Sequence, residues 1–171
     1  MDLSEVHQDP KHHADCCLAI SRRLLDTLTS ILLHAPRQVL SIGSGTGLLE
    51  DTLLRYSSGT INLIGVEVSP TVNKYLPESN LHVVNGTWAM YPDAHLAAAW
   101  VFVYPREPKL LNRYLSAQAH GALETIVWLG PRSDWSDFAP TLESRNAFHV
   151  TLVEDCGAAA YEMMAVATKI R

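Results

Sequence analysis

Short apolar runs alternate with amphipathic stretches along most of this chain. The runs resemble those of strands that are covered on both faces of a sheet. We predict seven strands, at residues 38–42, 62–68, 81–84, 96–104, 125–129, 148–154 and 161–169. Helical spacing predicts helices after Gly47, at 109–118 and at 135–144, and a short helix opened by Ser69 and Pro70. The alternation predicts an α/β fold with a doubly wound, mainly parallel sheet that ends in an antiparallel pair of strands.

The amino-terminal stretch follows a helical period. Its apolar residues recur in steps of three and four between residues 11 and 33, at Cys17, Ile20, Leu24, Leu28 and Ile31. Pro10 predicts the start of this helix and Pro36 its end. We therefore divide the chain into a helical extension, residues 1–37, and a core formed by residues 38–171, on which the extension packs.

Composition narrows the class of protein. The chain has 171 residues, of which 47% are apolar and 18% charged, as is typical of one folded domain. No apolar run approaches the ~20 residues of a membrane span, and the polar N-terminus lacks the apolar segment of a signal peptide. Three cysteines favour a reducing compartment, so we expect a cytoplasmic protein. The net charge of −5 disfavours nucleic acid as a partner and favours a small-molecule substrate.

A glycine-rich segment follows the first predicted core strand. Gly43, Gly45 and Gly47 form a GxGxG pattern between a strand and a helix, where backbone N–H groups face an open crevice. The dinucleotide fingerprint GxGxxG requires glycine where this chain has Leu48, which disfavours a nicotinamide or flavin enzyme. Glu67 follows the last glycine by twenty residues, where a carboxylate can accept both hydroxyls of a ribose. The pattern predicts a site for a nucleoside-containing cofactor.

On these residues the chain resembles the class I S-adenosylmethionine-dependent methyltransferases. Segment 39–47 looks like the first motif of that family, and the sequence Gly-Val-Glu-Val at 65–68 looks like the second. The resemblance implies a seven-stranded sheet, S-adenosylmethionine as cofactor and Glu67 as its ribose ligand. It also implies a cofactor site made of Ser41, Gly43, Ser44, Gly45, Gly47, Glu67, Thr87 and Trp88.

Two positions depart from the pattern of the family. The family usually has an acidic residue two positions before the first glycine, where it contacts the methionine portion of the cofactor. This chain has Ser41 there, which supplies no charge. The family also places an acidic residue near the adenine amino group, where this chain reads Asn-Gly-Thr-Trp at 85–88. Trp88 either flanks the adenine or belongs to the core.

Candidate catalytic and substrate-binding residues lie near the ends of the fourth and fifth core strands and on the extension. Tyr104, His12 and His13 are candidates for a general base, which helps when the acceptor must lose a proton, and we favour Tyr104 and His13 as catalytic residues. We predict that Arg106, Arg132 and Trp135 contact the acceptor, the arginines through fork-like contacts with a carboxylate. The alternative is that each arginine pairs with an acidic neighbour in the sequence.

The extension also carries His12, His13, Cys16 and Cys17. On a helix, His12 lies one turn from Cys16 and His13 one turn from Cys17, but the two pairs are offset by about 100° around the axis. Four ligands do not then converge on one ion, so we expect no metal site. We expect Cys17 in the core and His12 or His13 in a lid, since methyltransferases of this type often fold an N-terminal helix over the cofactor.

The resemblance implies an enzyme that transfers a methyl group from S-adenosylmethionine to a small molecule. The alternative is a methyltransferase-like protein that binds the cofactor or a partner without methyl transfer, or that uses the fold for another reaction. A nucleotide-dependent oxidoreductase is a weaker third hypothesis. The connections after the fourth and fifth core strands are short, so either the extension or a second subunit, in a homodimer, completes the acceptor pocket.

Overall fold

A computed structural model describes residues 2–32, 34, 36–117, 121–144 and 146–170. Two short strands lie near the N-terminus, β1 (Lys11–His13) and β2 (Cys16–Ile20). The strands of the main sheet are β3 (Gln38–Ile42), β4 (Asn62–Glu67), β5 (Leu81–Val83), β6 (Ala99–Val103), β7 (Thr125–Pro131), β8 (Phe148–Val153) and β9 (Glu162–Lys169). The α-helices of this part of the chain are α1 (Arg22–Ile31), α2 (Leu48–Tyr56), α3 (Pro108–Ala117) and α4 (Trp135–Glu143).

The main sheet has the predicted topology. Among the described residues it contains seven strands in the order β5-β4-β3-β6-β7-β9-β8. The strands β3 to β7 pair in parallel, while β9 runs antiparallel to both β7 and β8. The carboxyl ends of β3, β4, β6 and β7 therefore lie at one edge, where open α/β sheets bind ligands. The prediction of a mainly parallel α/β sheet with a closing antiparallel pair is confirmed.

Alternate residues of the central strands face two hydrophobic clusters. On one face, Val39 of β3 and Val101 of β6 pack with residues of α1 and α2. On the other face, Leu40 of β3 and Trp100 of β6 pack with residues of α3 and α4. Because helices cover both faces, these strands have almost no polar positions, which made them recognisable in the sequence.

The helix predicted at 11–33 is wrong over its first half. Strands β1 and β2 form an antiparallel hairpin in which His13 pairs with Cys16, and α1 begins only at Arg22. Ser21 caps α1 by accepting a hydrogen bond from the backbone N–H of Leu24 at 3.0 Å. The predicted end at Leu33 lies outside the described residues. The one-turn spacing of His12 with Cys16 and of His13 with Cys17 is therefore wrong as well. Cys17 is exposed on β2, so the expectation that it lies in the core is also wrong. The described residues contain no group of three or more His, Cys, Asp or Glu able to hold a metal ion.

The helix predicted from Ser69 is also wrong. The segment after β4 is a series of turns, followed by a 3₁₀ turn at Glu78–Asn80. The backbone N–H groups of Lys74 and Tyr75 both donate to the carbonyl of Thr46, at 2.9 and 3.1 Å, instead of to carbonyls one turn earlier. These hydrogen bonds to the glycine loop therefore prevent the segment from forming a helix.

The α-helices are short. Among the described residues the longest, α1 and α3, have ten residues each. In the part of the chain that the structure describes, no helix has both the length and the apolar character that a membrane crossing demands.

Candidate cofactor site

Three glycines shape the loop between β3 and α2. All have positive φ, which residues with a side chain rarely adopt: 78° at Gly43, 57° at Gly45 and 77° at Gly47. Gly43 and Gly45 have open space where a Cβ would stand, whereas a Cβ on Gly47 would lie 2.8 Å from Leu76 Cγ. The Gly43 N–H donates to the carbonyl of Val66 at 2.8 Å, which ties the loop to β4.

Glu67 lies at the carboxyl end of β4, beside this loop. Its Oε2 accepts a hydrogen bond from the Gly45 N–H at 2.9 Å, and its Oε1 accepts one from the Val68 N–H at 2.7 Å. Each carboxylate oxygen keeps a second lone pair for a ligand. Val68 is 45% exposed, so its apolar side chain lies at the surface beside the carboxylate. Sequence reasoning missed Val68 as a residue of the site. We call residues 43–47 with Glu67 the glycine corner.

Ser41 lies at the carboxyl end of β3 and is buried. Its hydroxyl donates to Oε1 of Glu50 at 2.5 Å, and Glu50 is itself only 4% exposed. Burial raises the pKa of Glu50 to about 7. Sequence reasoning missed Glu50, although the signal was present: Glu50 and Leu53 lie three residues apart on the buried face of α2.

The tip of the β1–β2 hairpin is fastened to the glycine corner. The Thr46 hydroxyl donates to the backbone carbonyl of Asp15 at 2.6 Å. The Asp15 carboxylate accepts from Lys74 Nζ at 2.6 Å and from the Tyr75 hydroxyl at 2.7 Å. The hydrogen bonds from Lys74 and then Tyr75 lower the pKa of Asp15. A hairpin thus takes the place that the sequence assigned to a helical lid.

The two histidines of the hairpin lie in different surroundings. His13 borders a cavity of about 240 Å³, together with Asp15 and Leu48, the first residue of α2. Burial lowers the pKa of His13, which favours its neutral form. His12 is exposed, and its ring stacks on that of Tyr161 and hydrogen-bonds its hydroxyl.

Tyr104 follows β6 directly and has φ of 48°, unusual for a residue with a bulky side chain. Its hydroxyl donates to Oε1 of Glu162 at 2.7 Å. Glu162 is only 1% exposed and also accepts from the backbone N–H groups of Ala19 and Ala159, at 3.2 and 2.9 Å. We call Tyr104 and Glu162, with the backbone N–H groups of Ala19 and Ala159, the tyrosine corner.

The same surroundings change the acidity of Tyr104. Burial raises the pKa of Tyr104 above its usual range, and the hydrogen bond and charge of Glu162 raise it further. A phenol in this state keeps its proton, which disfavours the predicted role of Tyr104 as a general base. Sequence reasoning missed Glu162, the lone charged residue at the start of an apolar strand.

Thr87 and Trp88 lie in the loop after β5. Thr87 is exposed, whereas Trp88 is half-buried. Lys109 Nζ lies 4.4 Å from the centroid of the Trp88 ring, in a cation–π contact that joins this loop to α3. Ser44, within the glycine loop, has a buried hydroxyl with no hydrogen-bond partner among the described residues.

The three predicted acceptor-binding residues lie in unlike surroundings. Arg106 and Arg132 are exposed, and Arg132 Nε donates to the carbonyl of Ala160 at 3.0 Å. The ion pairs of the described residues include neither arginine, so the alternative pairings with Glu107 and Asp134 are not formed there. Trp135 packs against Trp128, with ring centroids 5.2 Å apart, at the second hydrophobic cluster.

A second cavity adjoins the tyrosine corner. It has a volume of about 430 Å³ and is bordered by Arg132, Arg23, Glu162 and the small residues of segment 157–160. The volume lies within the range of about 300–1,000 Å³ typical of small-molecule sites. The structure therefore brings Arg132, but not Arg106, to this cavity.

Comparisons with known proteins agree with the topology. A precorrin-6y C5,15-methyltransferase from Geobacter metallireducens superposes with a TM-score of 0.65 at 12% identity, over 99% of this chain and 97% of that one. The E. cuniculi Mtq2-Trm112 complex, which methylates the translation termination factor eRF1, gives 0.59 at 13% identity, over 95% and 99%. The 23S rRNA methyltransferase ErmE gives 0.58 at 17%, over 90% and 69%. No family model and no curated protein matches this sequence. Identities this low show the fold alone.

Proposed function

We propose that this chain, which has the fold of the class I S-adenosylmethionine-dependent methyltransferases, binds S-adenosylmethionine at the glycine corner and transfers its methyl group to a small molecule. One observation carries the proposal: the Glu67 carboxylate is held against the Gly45 N–H at the carboxyl end of β4. A carboxylate at that point is suited to the two hydroxyls of a ribose.

The residues around Glu67 fit the rest of such a cofactor. Gly43 and Gly45 leave open space beside the backbone, which a ligand can approach closely. The buried hydroxyl of Ser44 lacks a partner and is available to a ligand. Val68 and Trp88 offer apolar surface to an adenine ring.

S-Adenosylmethionine supplies a methyl group on a positively charged sulfur. What the chain must add is position, which lowers barriers by ~7–11 kcal/mol in favourable cases. In this proposal Tyr104 lines the site but takes up no proton, since its hydroxyl donates a hydrogen bond to Glu162. His13 is the remaining candidate base, because its lowered pKa keeps it neutral and able to accept a proton.

The 430 Å³ cavity with Arg132 and Arg23 supports the small-molecule acceptor. The similar proteins act, by their names, on a precorrin, on a protein and on rRNA, so fold does not choose among these acceptors. The expectation that nucleic acid is excluded therefore rests on net charge alone. A second candidate function, cofactor binding without transfer, is favoured by the hydrogen bond from the Tyr104 hydroxyl to Glu162, which leaves the site one candidate base fewer.

Calorimetry with S-adenosylmethionine and S-adenosylhomocysteine tests cofactor binding. We expect Glu67→Ala to weaken both by about 10-fold or more, the usual cost of losing hydrogen bonds to a charged group. The exposed Glu78 gives the control, and Glu78→Ala should leave both affinities unchanged. If the unaltered protein binds neither ligand at millimolar concentration, the proposal is wrong.

A labelled cofactor tests the acceptor. Protein incubated with methyl-tritiated S-adenosylmethionine and a cell extract should label small molecules other than the cofactor, above the level reached in the same extract with Glu67→Ala. Label in protein or RNA instead would replace the proposed acceptor class. Cofactor binding with no label in any fraction would favour the second candidate.

A further inference from the structure

Glu50 is a buried carboxylate that forms no ion pair with the described residues. It lies in the first turn of α2, directly after the glycine loop, and is 4% exposed. Placing a carboxylate out of water is costly unless a positive charge or several hydrogen bonds offset it. Its described side-chain partner is the Ser41 hydroxyl, at 2.5 Å.

The groups that face Glu50 bring no positive charge. Cys16 on β2 is neutral, since burial raises the pKa of its thiol to about 12, with the charges of Glu50 and Glu162 adding to the effect. Glu67 at the end of β4 is negative and disfavours a second charge nearby. Among the described residues, the strands around Glu50 therefore offer no cation to balance its charge.

The place of Ser41 indicates what this cation is. Ser41 stands two residues before Gly43, near the carboxyl end of β3, where an open α/β sheet binds its ligand. S-Adenosylmethionine carries two cations, the sulfonium and the ammonium of its methionine portion, and only the ammonium has N–H groups that can donate to the Ser41 oxygen. Because the Ser41 hydroxyl donates to Glu50, its oxygen is polarised and better able to accept another hydrogen bond.

We propose that Glu50 acts through Ser41 to bind the ammonium group of the methionine portion of S-adenosylmethionine. The proposal rests on the proposed cofactor site and goes beyond it, because it assigns the missing charge to a residue outside the glycine motif. Glu50 is a positioning residue in this arrangement, since Ser41 makes the contact.

A consequence is that binding is coupled to a proton. An ammonium nearby favours the ionised carboxylate, so ligand binding draws a proton off Glu50 at pH values near its free pKa of about 7. Affinity for ligands that carry the amino-acid portion should therefore rise as the pH rises through this range.

The first test compares two ligands. S-Adenosylhomocysteine carries the ammonium group, whereas 5′-methylthioadenosine has the same nucleoside thioether without it. At pH 8, Glu50→Gln should weaken S-adenosylhomocysteine by about 10- to 100-fold and leave 5′-methylthioadenosine within about 2-fold. Asp51 is the matched control, since it lies on the same turn but pairs with Arg55. Asp51→Asn should change neither affinity.

The outcomes separate the two proposals. If Glu50→Gln weakens both ligands equally, or neither, the role of Glu50 is overturned while the cofactor site stands. If the unaltered protein binds neither ligand, the cofactor site itself fails.

The second test measures the proton. Calorimetry at pH 7 in two buffers of different ionisation enthalpy should show release of roughly half a proton with S-adenosylhomocysteine. Glu50→Gln should release none, and 5′-methylthioadenosine should release none from either protein. Equal release from the variant and the unaltered protein would overturn the proposal.

Discussion

The glycine corner and the tyrosine corner lie at the ends of the neighbouring strands β3 and β6. They accommodate an unfavourable backbone conformation in different ways. Both turn the chain through positive φ, 78° at Gly43 and 48° at Tyr104. The first uses glycines at the positions of positive φ, and Gly43 and Gly45 leave open space. The second keeps a bulky residue in an unfavourable conformation and holds it by a hydrogen bond to the buried Glu162.

The difference indicates how each corner contributes. A backbone with open space on one side is suited to receive a ligand. A side chain held in a strained conformation persists only where its surroundings fix it, and such residues concentrate at functional sites. A side-chain hydrogen bond thus fixes the backbone of the tyrosine corner at Tyr104, whereas glycines allow the positive φ of the glycine corner.

Removing Glu162 should have the largest effect on stability. Glu162→Ala leaves the Tyr104 hydroxyl and the N–H groups of Ala19 and Ala159 without their acceptor. We expect a loss of about 3–5 kcal/mol in the free energy of unfolding, measured by urea denaturation. Glu154→Ala, an exposed residue of the adjacent turn, should change it by less than about 0.5 kcal/mol. Similar losses in both variants would contradict the anchoring role of Glu162.

Titrating Glu50 should change stability by roughly 3 kcal/mol. Its pKa of about 7 in the folded protein lies above the ordinary value of 4.5, so the folded state holds the proton more tightly. The stabilisation that Glu50 gives the folded protein is greatest below pH 4.5, falls as the pH rises towards 7 and stays constant at higher pH.

The Glu50→Gln variant isolates this contribution. Urea denaturation at pH 8 should find it more stable than the unaltered protein, with the difference closing near pH 4.5. Parallel stability curves for the two proteins across this range would show that the Glu50 carboxyl is not perturbed. Asp51→Asn should not change the dependence on pH.

Adding a side chain to the glycine corner should lower the free energy of unfolding by less than Glu162→Ala does. Gly47→Ala adds a Cβ at φ of 77°, 2.8 Å from Leu76 Cγ, and should lower the free energy of unfolding by about 2–3 kcal/mol. Gly59 has φ of 71° with open space around it, so Gly59→Ala should cost only about 1 kcal/mol. The difference between the two losses measures the cost of the close contact between the added Cβ and Leu76. Equal losses would show that the positive φ alone determines the cost.

Tyr104→Phe should have the smallest effect. It removes one hydrogen bond donated to Glu162 and should cost about 1 kcal/mol. Affinity for S-adenosylhomocysteine, measured by calorimetry, should stay within about 2-fold of the original. A 10-fold loss would place the hydroxyl in contact with the cofactor and remove the distinction between the two corners.

The sequence was sufficient for the parts of the molecule that local patterns determine. Strands β3 and β7 are apolar because helices cover both sheet faces, and the three glycines mark the loop by type and spacing. Glu67 was predictable for the same reason, since its distance along the chain from the glycines follows from one helix and one strand.

The hairpin was not predictable, because its partners are distant. Cys17, Ile20 and Leu24 matched a helical period by their spacing alone. What fixes a hairpin instead is the bond from the Ala19 N–H to Glu162 and the contact of Asp15 with Thr46, over 143 and 31 residues of chain. Tertiary contacts of this range override local periodicity.

The pair formed by Trp128 and Trp135 gives the molecule an optical label. Their indole rings lie 5.2 Å apart with their planes tilted by 54°, so their transitions couple and contribute a signal to the circular dichroism spectrum. Trp88, beside the Lys109 ammonium, is one of four tryptophans that contribute to the fluorescence. Circular dichroism can therefore follow the start of α4 while a ligand is added, and the difference in fluorescence between the unaltered protein and Trp88→Phe can follow the loop after β5.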